Sequence, residues 1–120
     1  MTTIVIKEEK NMEDKTTIRI MLDFLAGPIW FSEPDCLYTG IPVLDNDDVL
    51  LKLNNKICDM YSSYYEFDSH DQGCWFDTER EKAEKDEMLD LLTQLIDRLN
   101  ELNDGSFVID DRETERVKKL

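Results

Sequence analysis

A chain of 120 residues with 41% hydrophobic and 9% aromatic residues has the length of one domain and enough apolar side chain for a packed core, which excludes a disordered chain. Against 14 Lys and Arg stand 28 Asp and Glu, a net charge of −14 that lies well beyond the magnitude of about 2 to 8 suited to a soluble small domain. Such a field repels phosphate backbones and anionic lipid, so it excludes direct nucleic-acid and membrane binding and favours a cationic partner, drawn in by long-range steering.

The first fifteen residues, MTTIVIKEEKNMEDK, hold either a short extra strand followed by a polar turn or a loose extension. They contain no apolar stretch of signal length, and no 18 apolar residues run together anywhere, so a soluble cytoplasmic protein is expected. TTIRIMLDF then alternates cleanly: Ile18, Ile20, Leu22 and Phe24 share one side, and Thr17, Arg19, Met21 and Asp23 the other, as in a half-buried antiparallel strand. LAGP follows. Gly27 can take a positive φ and Pro28 fixes φ at about −65°, which predicts a hairpin turn there and a return through IWFS as a paired strand.

Residues 33–42, with two prolines and a glycine, read as loop. A helical period begins next, with Leu50, Leu53, Ile57, Met60 or Tyr61, and Tyr64 on one stripe. Asp45 or Asn46 is its expected cap, and Asp47 and Asp48 sit at the positive end of the helix dipole. Residues 68–73 form a loop, and Thr78 with Glu81 makes a capping box for a second helix. Its first ten residues have little to bury and are stabilised by pairs such as Glu81 with Lys85. Beyond them Met88, Leu91 or Leu92, Leu95, Leu99 and Leu102 form a stripe that Gly105 terminates. SFVID is a last short strand, and residues 111–120 are a polar tail, frayed or weakly helical. The prediction is one α+β domain over 1–120: a small antiparallel sheet with two helices packed on one face, in the order β-β-β-α-α-β.

No catalytic constellation is visible. The chain has one histidine, no serine or cysteine with a second base at a recognisable spacing and no glycine-rich phosphate loop, so neither an enzyme nor a cofactor is expected. Asp68 to Glu79 has the glycine and glutamate of a calcium loop, Gly73 at the sixth position and Glu79 at the twelfth. His70, Gln72 and Phe76 occupy positions where oxygen ligands belong, and the segment reads instead as a plain acidic loop between helices. Cys36, Cys58 and Cys74 are odd in number and irregularly spaced, which fits a reducing compartment better than disulfides; with His70 they lack the paired short steps of a zinc module, so no metal site is assigned. Cys58, beside Ile57 on the helix, reads as a small core residue.

Partner binding is the remaining chemistry. Trp75 stands among Asp68, Asp71 and Asp77, the composition of an anchor for a basic partner, although a tryptophan there can equally plug the end of the helix pair. Those four residues, with Asp47 and Asp48, are the candidate binding set.

IRIMLDFLAGPIW, followed by an acidic capped helix with tyrosines and a second Leu-rich helix, resembles small acidic immunity proteins of contact-dependent growth inhibition and related polymorphic toxin systems; the likeness spans about residues 17–110. What the resemblance implies is a cytoplasmic protein that binds and neutralises the C-terminal toxin domain of a cognate effector, often a nuclease. The extra segment 1–15 departs from that pattern. The same charge would also serve an acidic DNA mimic or adaptor that occupies a host DNA-binding protein.

Overall fold

The computed structural model describes residues 16–30, 32, 35–69 and 71–120, with the backbone alone at 69 and 72. The strand candidate within 1–15 lies outside them. The architecture is mixed α and β, but its order differs from the expected one: β1 (Thr16–Ile20), α1 (Pro42–Asp45), α2 (Asp48–Ser62), β2 (Tyr65–Ser69), β3 (Gln72–Phe76), α3 (Thr78–Ala83), α4 (Lys85–Leu102), β4 (Phe107–Asp111) and α5 (Thr114–Lys118).

β1 is the strand that the alternation predicts, with Ile18 and Ile20 buried. The chain does turn back beside it: the Met21 amide donates to the Pro28 carbonyl and the Trp30 amide to the Arg19 carbonyl, both at 2.8 Å. The turn comes earlier than Gly27, closing at the Asp23–Ala26 bridge with Leu25 at φ 58°, and the returning segment forms isolated bridges in place of a full strand. Gly27 is not at positive φ, so conformational freedom is not why a glycine stands there.

The other edge of β1 is taken by β4, and the pairing is parallel, Thr16 opposite Phe107 through Ile20 opposite Asp111. The expectation of a purely antiparallel sheet is corrected on this point. The alternation in β1 and the short apolar run in β4 specify burial, not direction; direction is set by the helical crossover between them, which parallel strands require. Ile18 and Ile20 pack into one core with Leu50 and Ile57 of α2 and Leu91, Leu95 and Leu99 of α4, so the second helix's stripe lies where its period placed it. Leu22 is partly buried against the same core, whereas Phe24 leaves it to contact Tyr65 and Phe67.

Two further expectations are overturned, and the tail, helical over Thr114–Lys118, does more than its composition suggests. α2 buries Leu50, Asn54, Ile57 and Cys58, leaving Leu53 and Met60 only partly covered, so the inward face is rotated and has an asparagine at its centre. The expected interhelical loop is not found: Asp68 and Ser69 end one strand and Gln72 and Gly73 begin the next in an antiparallel hairpin in which Tyr65 faces Phe76, Glu66 faces Trp75 and Phe67 faces Cys74. Aromatic residues favour a pleated surface, and cross-strand ring contacts such as Tyr65–Phe76 at 5.0 Å stabilise the pair. The polar tail, finally, is structural. Val117 is buried in the core, and Glu113, also buried, accepts the Leu22 amide at 2.9 Å while Arg116 bridges it to Glu81 at 2.6 and 3.0 Å. A tail rich in charge reads as solvated only while its buried partners on other elements are unknown.

Candidate functional site

The cap of α2 is Asp47, one residue beyond the two expected, and its carboxylate accepts the Leu50 amide at 2.8 Å. The same carboxylate takes both arms of Arg98 from α4, at 2.5 and 3.0 Å. The Arg98 guanidinium holds the Asp47 carboxyl below the usual carboxylate range. Asp47 is therefore committed to tying the start of α2 to the last turns of α4. Asp48, beside it in the first turn, is exposed.

Asp68, Asp71 and Trp75 lie together on the β2–β3 hairpin, where the fold places them beyond the other end of α2. The fifteen-residue helix α2 begins at Asp48 and runs between the two groups, about 20 Å at 1.5 Å per residue, so the six candidate residues do not form one site. Asp68 and Asp71 are exposed, at φ 55° and 58°, a backbone region that Asp tolerates better than most residues. Neither forms an ion pair among the described residues. Trp75 is half-buried opposite Glu66. Asp77, at the hairpin's base, is structural. It caps α3 by accepting the Arg80 amide at 3.0 Å, the role the sequence assigned to Thr78.

The base of the hairpin is firmly held. The Asp77 amide donates to the Tyr64 carbonyl at 2.7 Å, the buried Tyr64 hydroxyl to Glu84 at 3.1 Å, and Arg80 bonds both Glu84 and the Ser63 carbonyl. Burial pushes the hydroxyls of Tyr61 and Tyr64 above the ordinary phenol value and keeps them protonated. The rigid base is an aromatic cluster in which Tyr61, Tyr65 and Phe76 stand within 5.0 to 5.8 Å of one another.

Tyr65–Ser69 is a strand, so a calcium loop starting at Asp68 would be entered from a strand and not from the helix it needs. Cys58 is buried, as read from its helix position, and burial pushes its thiol up; Cys36 is half-buried and Cys74 exposed. Among the described residues there is no grouping of three or more metal-ligating side chains, and no helix long and apolar enough to cross a membrane.

Sequence reasoning missed two neighbours of the acidic hairpin. Phe67 is 56% exposed and Leu25 is 61% exposed, and the Phe24 ring stands 5.5 Å from Phe67. The period-two spacing of Tyr65 with Phe67, and of Cys74 with Phe76, was the available signal, hidden by extending the helical period of α2 through Tyr64.

In comparisons with models of known families, with curated proteins and with solved structures, nothing matches the chain.

Proposed function

We propose that this chain is an immunity protein that binds and neutralises a cognate toxin domain in the bacterial cytoplasm, acting by stoichiometric occlusion without catalysis. The observation that carries the reading is the β2–β3 hairpin: an exposed projection on an aromatic base, bearing Asp68 and Asp71, which form no ion pair among the described residues, together with Trp75 and Phe67, on a chain of net charge −14. Aromatic side chains inside an acidic surround suit a basic protein surface, and a nuclease, whose active site is built to hold a polyanion, is the toxin class such a surface complements. The resemblance of IRIMLDFLAGPIW and the helices after it to immunity proteins points the same way.

The test is to search beside this chain's gene for a large secreted effector and to co-express the chain with that effector's C-terminal domain; a gene with no such neighbour would count against the proposal. Protection of the cells, together with a one-to-one complex on gel filtration, is the expected result. Cells that die at the same rate with and without the chain, and no complex, would end the proposal; capture of a host DNA-binding protein in its place would establish the mimic.

A further inference from the structure

Resting on that reading, we infer that the anchor for the partner is an apolar knob built from Leu25, Phe24 and Phe67, and not Trp75. Leu25 and Phe67 are among the most exposed large hydrophobic side chains of the described residues, at 61% and 56%, and Phe24, next to Leu25 in the chain, has its ring beside Phe67. Phe24 lies 5.5 Å from Phe67 and 4.8 Å from Tyr65, and Tyr65 stands 5.8 Å from Tyr61, so the knob is braced by the aromatic base of the hairpin. An anchor already held in one arrangement loses little freedom on binding.

Leu25 adds a second, independent observation. It sits at φ 58°, a left-handed conformation that disfavours a leucine, and the fold holds it there: its amide donates to the Ser62 hydroxyl at 2.9 Å while the Phe24 amide donates to the Asp23 carboxylate at 2.7 Å. Local strain is thus maintained at a turn that presents an isobutyl group to water. Strain that folding alone does not reward marks a functional position.

Charge complementarity fixes the occupant. The chain carries a net charge of −14, and Asp23, next to Phe24, is exposed and has no ion pair among the described residues. An apolar knob on so acidic a chain selects a protein surface with an apolar spot among Lys and Arg, the arrangement of a protein–protein interface. Trp75 is on the wrong side of the hairpin for this contact. It pairs with Glu66, one position away from the Phe67–Cys74 pair, and successive side chains of a strand point to opposite faces.

The experiment measures binding of the full chain to the immobilised toxin domain, with melting temperature followed in parallel. Asn accepts a left-handed backbone more readily than Leu, so Leu25→Asn should melt no lower than the parent chain, while its complex dissociates about tenfold faster or more. Phe67→Ser should accelerate dissociation similarly, and Trp75→Ala should leave the rate within about twofold. Parent-like dissociation for Leu25→Asn and Phe67→Ser, with a fast-dissociating Trp75→Ala, would overturn the knob and leave the immunity reading standing. A parent chain that does not bind the toxin domain at all would overturn both.

Discussion

Gly27 is packed against Asn54 so closely that a β-carbon on it would stand 2.2 Å from the side-chain oxygen and nitrogen alike. Asn54 has no room to withdraw: it is fully buried, its Oδ1 accepts the Ile29 amide at 3.3 Å, and the Ser32 hydroxyl lies 3.0 Å away. The glycine before Pro28 is thus required for a close approach between the returning chain and α2.

Gly27→Ala should cost about 1–3 kcal/mol through overpacking. Asn54→Ala removes the obstruction but strands the Ile29 amide, at a cost of about 1–3 kcal/mol. The double variant should lose clearly less than the sum of the two, because the clash disappears with the asparagine. Urea unfolding of the four proteins measures this; strict additivity would show that the two residues do not press on each other.

Asp47 gives a pH dependence whose sign can be worked out. Its carboxyl is held below the ordinary value of 3.8, principally by the Arg98 guanidinium, so its contribution is present in full above that value and is lost as the pH falls through the lower, folded-state one. Asp47→Ala should cost about 1–2 kcal/mol near neutrality, chiefly through the lost cap. The gap between the parent and Asp47→Ala should narrow on acidification below 3.8. Thermal melts of both proteins from about pH 7 to about pH 2.5, a span that brackets the ordinary carboxylate range, would reveal a gap that stays constant if the carboxylate is irrelevant.

The core and the tail can be tested side by side. Leu95 is fully buried, and Leu95→Ala should cost about 2–5 kcal/mol through transfer and cavity terms. Arg116→Met leaves the buried carboxylates of Glu81 and Glu113 without their shared cation, and should cost about 1–3 kcal/mol, less than a fully buried pair because the arginine is itself partly exposed. A loss below about half a kcal/mol for Arg116→Met, the scale of ordinary surface changes, would return the tail to the solvated role its composition suggests.

For recognition, the acids and the apolar groups should separate kinetically. Asp68→Asn with Asp71→Asn should slow association with the toxin domain and flatten its dependence on salt, since exposed charges at the edge of an interface act mainly on the encounter. Asp77→Asn should preserve the fold, because asparagine caps a helix as well as aspartate does. Association rates at two ionic strengths check this, and rates that keep the parent's salt slope in the double variant would place the steering charges elsewhere.

How much of this was legible in the sequence depended on whether an element's partner was local. Ile18 and Ile20, and Leu91, Leu95 and Leu99, declared their faces through period alone, and both faces are buried as read. The turn after Phe24 was visible, but not that Leu25 would carry its positive φ. Asn54 broke the expected stripe of α2 because its hydrogen-bond partners, Ile29 and Ser32, are 25 and 22 residues away. The hairpin was lost for another reason: Tyr61 and Tyr64 continue a helical spacing up to the residue where extended structure begins, and a single sequence offers no penalty for reading one step too far. Of the six candidate binding residues, Asp47 and Asp77 are caps, a role that aspartate fills without any partner molecule.

The parallel pairing of β1 with β4 also places a clock in the synthesis of the protein. Thr16 meets Phe107, 91 positions later, so at about 5–20 residues per second β1 waits on the order of 5–18 s for its partner to be made. Throughout that interval the sheet edge next to Ile18 and Ile20 is unformed, and Glu113 has not arrived to take the Leu22 amide. The sheet edge of β1 consequently cannot close before Asp111 has been made, and the Leu22 amide gains its partner only two residues after that.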